Sequence, residues 1–157
     1  MDLKRLETVL DGAAVLGAEL EPRFRVLAMT LEPTADRWPQ PDDRRVQVLC
    51  FPVSTILASL RRLTDEDPTL LTFEIDALAD VVAAFGGACV SAPLFGRPEP
   101  RQGQWGPRYS LEGRSNAPDG TRTTITVGLR AEDLELDLFA RFDDVEVRDA
   151  NGDRVAL

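Results

Sequence analysis

Seven residues within one stretch of this chain have side chains suited to gripping a negatively charged group: Arg97, Arg101, Trp105, Arg108, Tyr109, Glu112 and Arg114. Guanidinium groups form forked hydrogen bonds to a carboxylate or a phosphate, and aromatic rings beside them add stacking. The same arginines could instead pair with Glu99, Glu112 and other acids and fasten a long loop onto the fold, which is the commoner use of such charges. They fall in PLFGRPEPRQGQWGPRYSLEGRSNAPDG, residues 93–120, which carries five prolines and five glycines. That density forbids a continuous helix or a long strand. The spacing predicts a shaped loop feeding a hairpin.

Other chemistry is harder to assemble. The chain has no histidine, so Ser-His-Asp and Cys-His sites and the commonest transition-metal ligand are out of reach. No GxSxG, P-loop, GxGxxG or CxxC occurs. Cys50 and Cys89 sit in the apolar runs VLCFPV and ACVSA and read as two buried free thiols. Asp42-Asp43, Asp65-Glu66-Asp67 and Asp143-Asp144 fall at expected turns without the oxygen spacing of a calcium loop, so they read as solvated acids. GQWG at 103–106 has a GxxG form, but in an acidic chain and before Pro107 it reads as a turn. No metal site and no cofactor is expected.

The formal net charge is −9 over 157 residues. A nucleic-acid or anionic-membrane footprint needs a concentrated positive field, which this balance opposes. Between Pro93 and Arg122, however, five arginines face three acids, a local +2 that leaves −11 on the remainder. No apolar run approaches bilayer length and the N-terminus lacks a signal pattern, so a cytoplasmic, single-domain protein spanning 1–157 is expected. That length buries a core without disulfides.

The elements follow from periodicity. Leu3, Leu6, Val9 and Leu10 predict a short amphipathic helix over 2–11 that ends at Gly12. The runs 13–20 and 23–32, split at Glu21-Pro22, predict a hairpin. Residues 33–43 form a connection with Trp38 as a lid on the core. Residues 45–52 read as a strand closed by Pro52; Ile56, Leu57, Leu60 and Leu63 then predict a helix capped by Ser54 or Thr55. A strand at 70–75 leads to a helix capped by Asp76 and carrying Leu78, Val81, Val82 and Phe85, with Gly86-Gly87 as its terminator. A strand at 88–93 enters the loop. Beyond the loop, Tyr109 and Leu111, then Ile125, Val127 and Leu129, then Leu134 to Phe142 alternate as an antiparallel meander. Its first turn is at 116–120, Asp143-Asp144 interrupts it, and Asn151-Gly152 predicts a type I′ return.

The expected class is therefore α+β: a mostly antiparallel, curved sheet with two or three helices packed on one side. A parallel pair within 45–93 stays open. The block APLFGRPEPRQGQWGPRYSLEGRSNAPDG, with RVQVLCFPVSTILASLRR before it and ARFDDVEVRD after it, resembles small uncharacterised cytosolic proteins of high-GC Gram-positive bacteria. The resemblance covers most of the chain and implies a cytosolic bacterial protein. It brings no activity, cofactor or site residue.

Three functions are compatible with these residues. The first is a non-enzymatic acidic protein that binds a protein partner or itself as a homodimer through an exposed sheet face and the loop from Pro93 to Arg108. The alternative is a binder of a small anionic ligand, with a pocket under that loop and Arg97, Trp105, Arg108 and Tyr109 as contacts. A histidine-free enzyme built on carboxylates and arginine ranks third, because no acid pair is placed in a recognisable cleft.

Overall fold

A computed structural model of the chain describes residues 1–38, 42–64, 67–100 and 122–157, together with the backbone of 108–110. Helix α1 (Leu3–Leu10) starts at Asp2, whose Oδ1 accepts from the amides of Lys4 at 3.0 Å and Arg5 at 3.2 Å. Its apolar stripe buries Leu6 and Leu10. The chain then turns through Gly12, whose φ of +79° favours a residue without a side chain. Arg37 closes the helix end: its Nη1 donates to the carbonyls of Thr8 and Asp11 and to Asp11 Oδ2 at 2.9 Å. A cation there meets carbonyls that the helix leaves unpaired.

Strands β1 (Ala14–Glu21) and β2 (Val26–Glu32) form the expected antiparallel hairpin, with Leu16 as the extra residue of a bulge. The next element corrects the sequence reading. Residues 54–63 are not a helix; β3 runs unbroken from Val46 to Arg62, seventeen residues, and Pro52 does not close it. Pro52 is tolerated because it falls between the part of β3 paired to β2, which stops at Cys50, and the part paired to a later strand from Thr55. The helical spacing of Ile56, Leu57 and Leu60 misleads because this half of the strand is buried on both faces, which hides the alternation.

Strand β4 (Thr69–Leu71) is shorter than the expected 70–75 and pairs with β3 at 60–62. A single 3-10 turn (Ile75–Ala77) then leads into α2 (Leu78–Ala83). Asp76 lies inside that turn and does not cap the helix, which starts at Ala77 without a side-chain cap. Leu78, Val82 and Phe85 are buried as their spacing requires. Gly86 and Gly87 follow at φ +61° and +82°. Residues 88–93 are not a strand; Cys89 makes one isolated bridge to Ala14. Cys89 is also exposed, against the expectation of two buried thiols, whereas Cys50 is buried.

Strands β5 (Arg108–Ser110), β6 (Thr123–Arg130) and β7 (Leu134–Arg148) complete a sheet in the order β1-β2-β3-β7-β6, with β4 and β5 both on β3. Every pairing between these strands is antiparallel, so the 45–93 region holds no parallel pair between described strands. Asp143-Asp144 does not interrupt β7, which runs through to Arg148. The return at 149–153 is headed by Asp149, whose Oδ1 accepts from the amides of Asn151 and Asp153. Only Gly152 has positive φ there, so the turn is not type I′. Leu111, the turns expected at 103–106 and 116–120, and Asp65-Glu66 lie outside the described residues.

The architecture is thus mostly antiparallel sheet with two short helices. One apolar cluster unites Leu6 and Leu10 of α1, Leu78 and Val82 of α2, and the inward residues of β1, β2, β3, β6 and β7, with Trp38 4% exposed against it. The two borders of the sheet are joined by residues 88–96, which bridge Ala14 of β1 and, through Phe95, Ile125 of β6. The sheet therefore has an inner, apolar face and an outer one.

Candidate functional site: the outer face of the sheet

Of the seven candidate anion-binding residues, the structure describes Arg97 and the backbone of Arg108 and Tyr109, and these stand at different places in the sheet. Arg97 is exposed at the border of β6, where its carbonyl accepts from Thr124 Oγ1 at 2.7 Å. Arg108 and Tyr109 are in β5, registered opposite Leu57 and Ile56 of β3. Strands β3, β7 and β6 separate the two positions. Arg101, Trp105, Glu112 and Arg114 lie outside the described residues. Glu99 pairs with Arg141 of β7 at 2.5 Å, with both side chains largely covered. That pair ties the start of the loop onto the outer face, the fastening role open to charges in this stretch.

The outer face differs between its two halves. In the half built from 55–61 of β3 and 135–141 of β7, facing positions are covered: Phe139 is 0% exposed, Leu57 6% and Ser59 0%. Arg61 there holds both Glu135, at 3.1 Å, and Asp137. Gly128 of β6 is registered beside Asp137, and a side chain added to it would come within 3.3 Å of Asp137 Oδ1. Absence of a Cβ leaves room for that carboxylate.

The other half is open. Two adjoining hollows of about 260 and 180 Å3 lie on it, and Thr30 lines both. Register explains why they adjoin. Gly17, Thr30 and Gln47 stand in one row across β1, β2 and β3, with Ala28 next to Thr30 on the same face. Outward positions of a sheet ordinarily carry long polar side chains; Gly17, Ala28 and Thr30 leave a shallow floor instead. Ala79 of α2 bounds it on one side, and Arg45 with the Asp149–Gly152 return bounds it on the other.

Of the acids beside this floor, Glu32, Asp43 and Glu146 are paired with arginines within the chain, while Glu19, registered opposite Ala28, stands exposed at its edge. Arg44 holds Glu32 at 2.7 Å, Arg45 holds Asp43 at 2.5 Å, and Arg148 holds Glu146 at 2.7 Å. The hydrogen bonds from Arg45 lower the Asp43 carboxyl from 3.8 to about 2 and push Arg45 up in turn. Asp11 is lowered by the Ala92 amide and by Arg37, and Asp36 by the Thr34 hydroxyl. A general acid needs a carboxyl moved the other way. Burial pushes the Cys50 thiol up, away from a reactive thiolate. Among the described residues no three His, Cys, Asp or Glu converge on a cation position, and no helix is long and apolar enough to cross a membrane.

Sequence reasoning passed over Gly17, Ala28 and Thr30. Their signal was small residues at outward positions of an amphipathic hairpin, meaningful only once Gln47 of β3 is known to continue the row. Comparison with protein-family models, with curated proteins and with solved structures finds no match for this chain.

Proposed function

We propose that the protein is a non-enzymatic binding module whose docking face is the open half of the outer sheet surface, centred on Thr30, and that its first partner is a second copy of itself. The observation that carries this reading is the small-residue floor shared by the two hollows. It lets another backbone approach closely, and Glu32, Asp43 and Glu146 beside it are already held by Arg44, Arg45 and Arg148. A second copy brings the same −9 charge, so the three internal ion pairs beside this face lessen the repulsion that an interface there must overcome. Closed two-fold dimers are also the commonest soluble oligomers.

Sedimentation velocity over the micromolar range tests it. The wild type should show a concentration-dependent dimer, and Ala28→Arg, which fills the floor with an outward side chain, should sediment as a monomer with its melting temperature little changed. A wild type that stays monomeric throughout sinks the reading. Association should also respond weakly to salt, because the rim offers few unpaired charges.

The anionic-ligand reading stands second, on the single observation that Arg97 is exposed and no described carboxylate pairs with it. Thermal-shift screening of small dicarboxylates and phosphates against wild type and Arg97→Ala separates the two readings.

A further inference from the structure

The residues that join the two sheet borders are bound differently from every strand around them. Residues 88–96 lie between Gly86-Gly87, at φ +61° and +82°, and Gly96 at φ +75°. All three glycines are in the left-handed region, where a chain changes direction and where residues with side chains are strained. Between them the backbone makes no ladder. Towards β1, the amide of Val15 donates to Ala88, that of Gly12 to Val90, and that of Val90 to Ala13, at 2.9 to 3.0 Å. Towards β6, the amide of Thr126 donates to Leu94 at 2.8 Å and that of Gly96 to Thr124 at 3.1 Å.

The middle of the segment is held by side chains. Glu7 and Asp11 stand one turn apart on α1, so their carboxylates point to one side of the helix. Asp11 Oδ1 accepts from the amide of Ala92 at 3.0 Å. Glu7 Oε1 accepts from the amides of Leu94 and Phe95, the latter at 3.1 Å. Three successive free amides, at 92, 94 and 95, thus hang on two carboxylates of a short helix, while Val90 and Leu94 plug into the core at 1% exposure each.

The geometry points to a hinged strap: we infer that 88–96 opens as a unit about its terminal glycines while the five-strand path stays folded. Opening bares the 13–15 border of β1 and the 124–126 border of β6 together, two unpaired edges able to accept an extended segment. It does so without breaking any pairing between the seven strands, because none of those pairings includes a strap residue. Local openings of this kind lie below the free energy of global unfolding when a segment has few backbone pairs of its own. The inference does not depend on dimer formation at the Thr30 face, which is on the other side of β1 and β2 from the strap's apolar anchors.

Native-state hydrogen exchange tests it on the full chain. In wild type, the amides of Val90, Ala92, Leu94 and Phe95 should exchange through one shared opening, at least tenfold faster than the protected amides of the β3–β7 ladder, and with a small dependence on urea. Glu7→Gln keeps the side chain's size and removes its charge. It should speed exchange at all four strap amides by about tenfold, the usual scale for losing a charged hydrogen-bond acceptor, and leave the ladder unchanged. Strap amides that exchange with the ladder's rate and urea slope overturn the inference, and this arm needs no variant. So does acceleration confined to Leu94 and Phe95, which would mean separate contacts and no unit.

Discussion

The amide of Ala92 donates a 3.0 Å hydrogen bond to Asp11 Oδ1, joining the C-terminal cap of α1 to a residue 81 positions further along the chain. The other carboxylate oxygen takes Arg37 at 2.9 Å. Both contacts favour the ionised form, the Ala92 amide more than the arginine, and hold the Asp11 carboxyl below its ordinary value of 3.8. For an acid with a depressed folded-state pKa, the stabilisation is present above the unfolded-state pKa and is lost as pH falls through the folded-state value. Asp11→Asn should therefore melt below wild type at neutral pH, and the gap should close as the buffer is taken down past 3.8. Melting curves recorded across that range check it; a gap that stays constant with pH would show that charge plays no part.

Asp43 adds to the same acid limb through a different pair. Arg45 lowers it to about 2, so the window in which its contribution fades runs from 3.8 down to about 2. Asp43 is solvent-facing, and exposed ion pairs contribute little. Asp43→Asn should leave the neutral-pH melting temperature close to wild type and flatten the acid limb between 3.8 and about 2. An acid limb identical to wild type would remove Asp43 from the account.

The two thiols should separate cleanly by reactivity. Cys50 is wholly buried on the inner face of β3, and burial pushes its thiol up, so almost no thiolate forms. Cys89 is exposed. Titration with a chromogenic disulfide should count one thiol in the native protein and two in urea, with Cys89→Ser abolishing the native count. Two fast thiols in the native state would place Cys50 at the surface.

Parts of this fold were readable because they repeat locally. Ile125, Val127 and Leu129 alternate with threonine and glycine, and Leu136, Leu138, Ala140 and Phe142 alternate with Asp137, Phe139 and Arg141, so the period of two marks both β6 and β7 as strands. Leu78, Val82 and Phe85 do the same at helical spacing. The second half of β3 could not be read that way. Thr55, Leu57 and Ser59 are buried on its outer face while Ile56, Ala58 and Leu60 are buried on its inner one, and a run apolar or small throughout matches a helix as well as a strand. The register of β5 on β3, the row from Gly17 to Gln47 and the grip of Glu7 on Leu94 all join positions far apart in the chain. No local period encodes them; they exist only once β3 sits in the middle of the sheet.

Covered outer-face residues carry a measurable cost. Strict alternation on β7 places Phe139 among Asp137 and Arg141 on the side away from the main core, where an exposed phenylalanine would lose little on truncation. Its 0% exposure says otherwise. Phe139→Ala should destabilise by about 3 to 5 kcal/mol, the range for a buried phenylalanine, and so should Phe142→Ala on the inner face. Urea unfolding of the pair gives the comparison. A cost for Phe139→Ala below about 1 kcal/mol, within the ordinary range for surface changes, would mean that the outer face is open at this point.

Ser59 is the neighbour of Phe139 two residues along the same face through its partner strand, registered opposite Asp137. Its hydroxyl is buried and has no hydrogen-bond partner among the described residues. A buried hydroxyl that has given up water without gaining a protein partner carries a desolvation cost of about 1 to 3 kcal/mol, whereas the methyl group of alanine carries none. Ser59→Ala should therefore raise stability by about 1 kcal/mol, since the small void left where the oxygen stood offsets part of the gain. Ser59→Val, which fills that space with carbon, tests whether packing limits the effect. If Ser59→Ala is instead destabilising by the same amount, the hydroxyl is hydrogen-bonded in solution and the covered half of the outer face holds a polar partner for it.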